Sequence, residues 1–75
     1  MKYSICVIGL GYVGLVTAVK LASLKNNVIG VEANVSKLKS LNDGVVPFYE
    51  PGLDDLFKQV LESKYLNFTN KLENI

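Results

Sequence analysis

The sequence predicts an α/β domain built on a parallel sheet. Three observations carry that expectation: short apolar runs alternate with stretches of helical spacing, glycines crowd the junction of the first run and the first helix, and the first run is apolar at nearly every position. Such a run fits a strand covered on both faces, which is where parallel strands sit.

The first strand is expected over Tyr3 to Ile8, with three β-branched residues. From about Tyr12 to Lys25 the spacing is helical, and Gly14, Ala18 and Ala22 form a small-residue stripe at i, i+4 and i+8 that would let this helix approach a sheet closely. Asn26-Asn27 stops the helix, and Val28 to Val31 reads as a second strand ending in Glu32. Strand, helix and strand in about 30 residues make a βαβ unit, whose crossover is right-handed almost without exception.

Asn34 then caps a short helix through roughly Leu41, with Leu38 and Leu41 facing inward, and Asn42-Asp43-Gly44 ends it in turn chemistry. Val45 to Glu50 is a loop. Pro51 suits the first position of a further helix, whose Leu53, Leu56, Phe57, Val60 and Leu61 form one apolar stripe and whose Asp54 and Asp55 suit the helix dipole. Leu66 to Thr69 is expected to be a third strand, and the chain ends soon after, at Ile75.

A chain of 75 residues makes one domain at most, and at this size it buries only about 60% of the surface it exposes when unfolded. With 49% hydrophobic and 20% charged residues it is globular rather than disordered. Its net charge is +1, its eight basic residues are all scattered lysines, and it contains no histidine. That leaves no basic stripe for a nucleic acid and removes the commonest general base and a common metal ligand. Cys6 is the single cysteine, so no internal disulfide forms, and the reading leans toward a reducing, cytoplasmic setting. In mid-strand Cys6 is expected to be buried, inert packing. The apolar opening is soon interrupted by glycines and Lys20, so neither a signal peptide nor a membrane span is expected.

The chemistry concentrates in Gly9-x-Gly11-x-x-Gly14. Alone the pattern is weak, and an ordinary buried turn is its plain alternative. Here it follows an expected strand, opens an expected helix and precedes a second strand ending in an acid, which is the setting of a dinucleotide-binding turn. Gly9 would make the tight turn, Gly11 would let backbone approach a pyrophosphate, and Gly14 would permit close helix–strand packing, with the helix N–H groups facing the phosphates. Glu32 lies 18 residues beyond Gly14. A carboxylate there accepts from the ribose hydroxyls and repels a 2′-phosphate, favouring NAD over NADP, unless Glu32 is merely a surface residue. Lys37, in the next helix, is placed to reach the same ribose or phosphate region or to lie in solvent.

Three blocks, "ICVIGLGYVGLVTAVKLA", "VIGVEANVSKLKSLNDG" and "VPFYEPGL", resemble the amino-terminus of the UDP-glucose/GDP-mannose dehydrogenase family, and the likeness runs on through "LNFTN". The third block is the specific one, because few proteins with a glycine turn follow it with P-x-x-E-P-G-L, here Pro47 to Leu53. The resemblance implies an enzyme that oxidises the C6 alcohol of a nucleotide sugar to a carboxylate in two NAD-dependent steps. The opening is most like that of the UDP-glucose members, and the UDP-N-acetylmannosamine and GDP-mannose members share much of it. The resemblance also implies cofactor contacts from Gly9, Gly11, Gly14, Tyr12 and Val13, with Glu32 where the family usually has aspartate and Lys37 as the accompanying lysine. Val16 stands where a proline is usual. The family's cysteine nucleophile and its partners lie far downstream, and Cys6 aligns with the strand.

Residues 1–75 are therefore expected to form a partial Rossmann fold, β-α-β-α-α-β with a parallel sheet in order 3-2-1, lacking the fourth and later strands. The expectation is an incomplete NAD-binding domain, inactive by itself, belonging to a longer nucleotide-sugar dehydrogenase. The rival is a stand-alone nucleotide-binding or interaction module. An open edge on the first strand predicts self-association, unless Asn70 to Ile75 fold back over it. Neither a nucleic acid nor a membrane is an expected partner.

Overall fold

The computed structural model describes residues 3–46 and 50–71. Its elements run β1 (Ser4–Ile8), α1 (Tyr12–Ser23), β2 (Asn27–Val31), α2 (Val35–Asn42), α3 (Leu53–Glu62) and β3 (Leu66–Thr69). The strands form one parallel sheet in the order β1-β2-β3, which is the expected 3-2-1 arrangement, with Ile5 opposite Val28 and Val28 opposite Leu66. The fold is a partial Rossmann-like α/β unit. None of its described helices is long and apolar enough to cross a membrane.

One face of the sheet holds the core. Ile5, Val7, Val28, Gly30, Leu66 and Phe68 share it through the parallel register, because side chains alternate between the two faces of a strand. Against them pack Leu15, Ala18, Val19 and Ala22 of α1 and Leu53, Phe57 and Val60 of α3, all buried. The Phe57 and Phe68 rings meet edge to face at 6.0 Å. The small-residue stripe acts as expected: Ala18 and Ala22 are buried, and Gly14 lies against β1.

The opposite face corrects two expectations. β1 is not covered on both sides: Ser4, Cys6 and Ile8 are exposed, Ile8 at 67%. Cys6 is accordingly an exposed free thiol rather than buried packing. An apolar run shows that both faces tolerate burial, whereas actual burial depends on what packs there, and no described helix covers this second face. β1 is also an edge strand.

The turn chemistry differs at two places. α3 begins at Leu53, not at Pro51, because Gly52 adopts the left-handed conformation (φ 82°) as its N-cap. At the end of α1 the left-handed position falls on Lys25 (φ 69°). The buried Asn26 then bridges, donating Nδ2–H to the Leu21 carbonyl at 2.9 Å and accepting the Tyr3 N–H at 2.9 Å. α2 is capped as expected, by the Asn34 side chain accepting the Lys37 N–H. Leu41 is buried beneath it, and Gly44 takes a positive φ at its exit.

Candidate functional site: a glycine turn at the strand ends

All seven sequence-predicted site residues lie at the carboxyl ends of β1 and β2 and in the helices that follow. Gly9 leaves β1 with φ 83°, and its N–H donates to the Val31 carbonyl of β2 at 3.0 Å. Gly14 is required by packing, since a Cβ there would sit 2.0 Å from the Gly9 carbonyl oxygen. Gly11 differs from both. Its φ of −70° suits any residue and a Cβ would meet nothing within 4 Å, so nothing in the described chain requires glycine there.

Gly11 is the N-cap of α1, whose amino end has no side-chain cap and no acid in its first turn. The orphan N–H groups and positive dipole end of a helix favour an anion. Tyr12 and Val13 stand beside this end, 53% and 73% exposed.

Glu32 follows β2, and its carboxylate ties three segments together. Oε1 accepts the Leu10 N–H of the turn at 3.4 Å, Oε2 accepts the Asn34 N–H at 3.0 Å, and Lys37 Nζ lies 3.7 Å from Oε1. The pair is partly exposed, so the charge interaction itself adds little stability. Its consequence is positional: turn, acid and lysine converge. A groove of about 380 Å³ opens here, lined by Ile8, Gly9, Val31, Glu32, Ala33 and Asn70.

Sequence reasoning passed over two residues of this region. Leu10 is fully buried beneath the turn, and a Cβ on Gly30 would meet its Cδ atoms at 3.0 and 3.1 Å, so Leu10 anchors the turn to the sheet. Its signal was the apolar residue between two glycines. Glu50 accepts a hydrogen bond from the Tyr12 phenol across 38 positions of sequence, joining the E-P-G-L block to the start of α1. That hydrogen bond and the neighbouring negative charge raise the Tyr12 pKa above its usual 10.0, so the phenol keeps its proton throughout the neutral range. Pro47, Phe48 and Tyr49 of the same block lie outside the described residues. Among the described residues no group of three or more His, Cys, Asp or Glu side chains is placed to hold a metal.

A parallel βαβ unit whose glycine turn opens a helix, with an acid at the next strand end, defines a dinucleotide-binding α/β protein. The model of the UDP-glucose/GDP-mannose dehydrogenase family, NAD binding domain, matches residues 3–75, and the chain belongs to that family. It is 46% identical over 68 residues to UDP-glucose 6-dehydrogenase TuaD of Bacillus subtilis, covering 91% of this chain and 15% of the relative. It is 44% identical over 68 residues to a UDP-N-acetyl-D-mannosamine dehydrogenase of Yersinia pestis, covering 91% and 16%. A GDP-mannose dehydrogenase structure from Pseudomonas aeruginosa superimposes with a TM-score of 0.85 at 38% identity, covering 99% of this chain and 16% of that one. The chain thus spans 15–16% of the length of these relatives, and its cofactor is that of the family domain, NAD.

Proposed function

We propose that the chain is the cofactor-binding portion of a nucleotide-sugar dehydrogenase acting on UDP-glucose, whose C6 alcohol is oxidised to a carboxylate in two NAD-dependent steps. The substrate reading is supported by the 46% identity to the Bacillus UDP-glucose enzyme. The observation that carries cofactor binding is Gly11, a glycine that neither backbone conformation nor neighbouring atoms demand, beside an uncapped helix end. Backbone approach by a bound pyrophosphate supplies the missing reason. In this reading the turn from Gly9 to Gly14 and the first N–H groups of α1 hold the pyrophosphate, Tyr12 and Val13 flank it, and Glu32 accepts from the ribose hydroxyls. Lys37 restrains the Glu32 carboxylate and lends positive charge to the same region. Bound NAD supplies the hydride acceptor, and residues 1–75 contribute no group to the oxidation itself.

Calorimetric titration of NAD and ADP-ribose into the 75-residue chain and its Gly11→Val variant tests this. The expected result is saturable binding to the parent chain and its loss in a variant whose circular dichroism is unchanged. No NADH should form when UDP-glucose is added. Unaltered affinity in the variant would remove the turn from the binding reading, and NADH formation would overturn the assignment of catalysis elsewhere.

The edge position of β1 supports self-association of the 75-residue chain. The exposed Ser4, Cys6 and Ile8 carry no charge that would oppose strand pairing. Residues 72–75, the larger part of the segment expected to shield this edge, lie outside the described residues. Sedimentation at several concentrations should show a dimer or larger species; a constant mass near 8.2 kDa would reject it.

A further inference from the structure

The E-P-G-L block begins at Glu50 and leads into α3. It is the most specific motif of the sequence, and cofactor binding by the glycine turn leaves it without a role. The fold nevertheless carries it to that turn. α3 packs against α1, and Val16 and Lys20 of α1 line a small groove together with Glu50 and Pro51. Glu50 thereby reaches the amino end of α1, where its Oε1 accepts the hydrogen bond of the Tyr12 phenol.

The two ends of this contact differ in how firmly they are held. Glu50 is half-buried, its carbonyl accepts the Leu53 N–H at 3.0 Å, and the left-handed Gly52 fixes the chain between them. Proline at position 51 removes further backbone freedom. Tyr12 is more than half exposed, at the first position of α1 beside its uncapped N–H groups. A phenol has a single O–H, and here it is committed to Glu50. The raised pKa keeps that proton in place at neutral pH. Tyr12 therefore offers a bound cofactor its ring and no hydrogen-bond donor.

We propose that Glu50 is a positioning residue for the cofactor, holding the Tyr12 ring in place as a wall beside the pyrophosphate before the cofactor arrives. A side chain that must be immobilised on binding subtracts from affinity, and one ordered beforehand does not. The E-P-G-L block then serves the glycine turn from a distant part of the sequence. This inference rests on the cofactor reading proposed above, since it is the pyrophosphate that the ring would flank.

The test measures NAD affinity calorimetrically in the 75-residue chain and in Glu50→Ala, Glu50→Gln, Tyr12→Phe and the double variant Glu50→Ala/Tyr12→Phe. Glu50→Ala and Tyr12→Phe should each weaken binding about two- to tenfold. The double variant should bind no more weakly than either single one, as expected for two ends of one contact. Glu50→Gln, which keeps a carbonyl acceptor for the phenol, should retain most of the parent affinity. Parent affinity in Tyr12→Phe, which keeps the ring and removes only an exposed oxygen, overturns the inference even where Glu50→Ala folds poorly. So does a further loss when Tyr12→Phe is added to Glu50→Ala, because the phenol would then be a phosphate donor in its own right. A Glu50→Gln variant as weak as Glu50→Ala overturns it too. In each of these cases the parent chain still binds NAD and the cofactor reading stands; a folded parent chain that binds no NAD overturns both.

Discussion

Gly14→Ala is expected to remove a large part of the stability of this chain and to weaken cofactor binding with it. The added methyl would lie 2.0 Å from the Gly9 carbonyl oxygen and 3.2 Å from its carbon. Those atoms have little freedom to retreat, because the Gly9 N–H is bonded to the Val31 carbonyl and Gly9 already holds φ 83°. Relief requires α1 to move off the sheet, loosening Leu15, Ala18 and Val19 from the core. Overpacking costs about 1–3 kcal/mol where side chains can adjust, and a backbone obstacle places the cost at about 3 kcal/mol or more. A domain of this length has on the order of 4–11 kcal/mol in all. Thermal unfolding followed by circular dichroism should show the midpoint lowered by more than about 10 °C. A variant that melts with the parent chain would mean that α1 does not sit as close to β1 as this structure has it.

Glu32→Ala should weaken NAD binding by about 1.5–3 kcal/mol, roughly tenfold to more than a hundredfold, through loss of a charge-assisted hydrogen bond to the ribose. NADP should respond differently, losing less or gaining. On the proposed reading the carboxylate that would repel a 2′-phosphate is gone, and Lys37, whose Nζ lies 3.7 Å from Glu32 Oε1, is released to meet that phosphate. The double variant Glu32→Ala/Lys37→Ala should lose the NADP gain and keep the NAD deficit. Because the two Glu32 oxygens also accept from Leu10 and Asn34, Glu32→Gln serves as the control that keeps the side-chain length and one acceptor oxygen while removing the charge. Dissociation constants for both cofactors decide the matter. Equal losses for NAD and NADP would show that Glu32 supports the turn without reading the ribose.

Much of this site was legible in the sequence because its parts are local. The turn from Gly9 to Gly14, the Asn34 cap and the acid ending β2 each depend on residues a few positions apart, where backbone sterics and capping act directly. The residues missed are those whose role depends on distant partners. Leu10 matters because Gly30 leaves room for it, and Glu50 because α3 lies beside α1 and brings Tyr12 within reach. The start of α3 was misplaced for a local reason: proline suits the first helical position, but Gly52 takes a left-handed conformation that delays the helix to Leu53.

The amino-acid sequence alone determined the element order, the parallel βαβ unit and the place of the glycine turn, since periodicity and turn chemistry are written in neighbouring residues. It also carried the family resemblance, through the turn, Glu32 and the E-P-G-L block. Only the tertiary structure decided which glycine the fold itself requires, that Glu32 binds turn and helix together, and that Asn70 shares a groove with it. It also decided that Cys6 and Ile8 face outward on an edge strand. Burial and convergence depend on what packs against a residue, and a pattern of apolar positions shows only which surfaces are able to be covered.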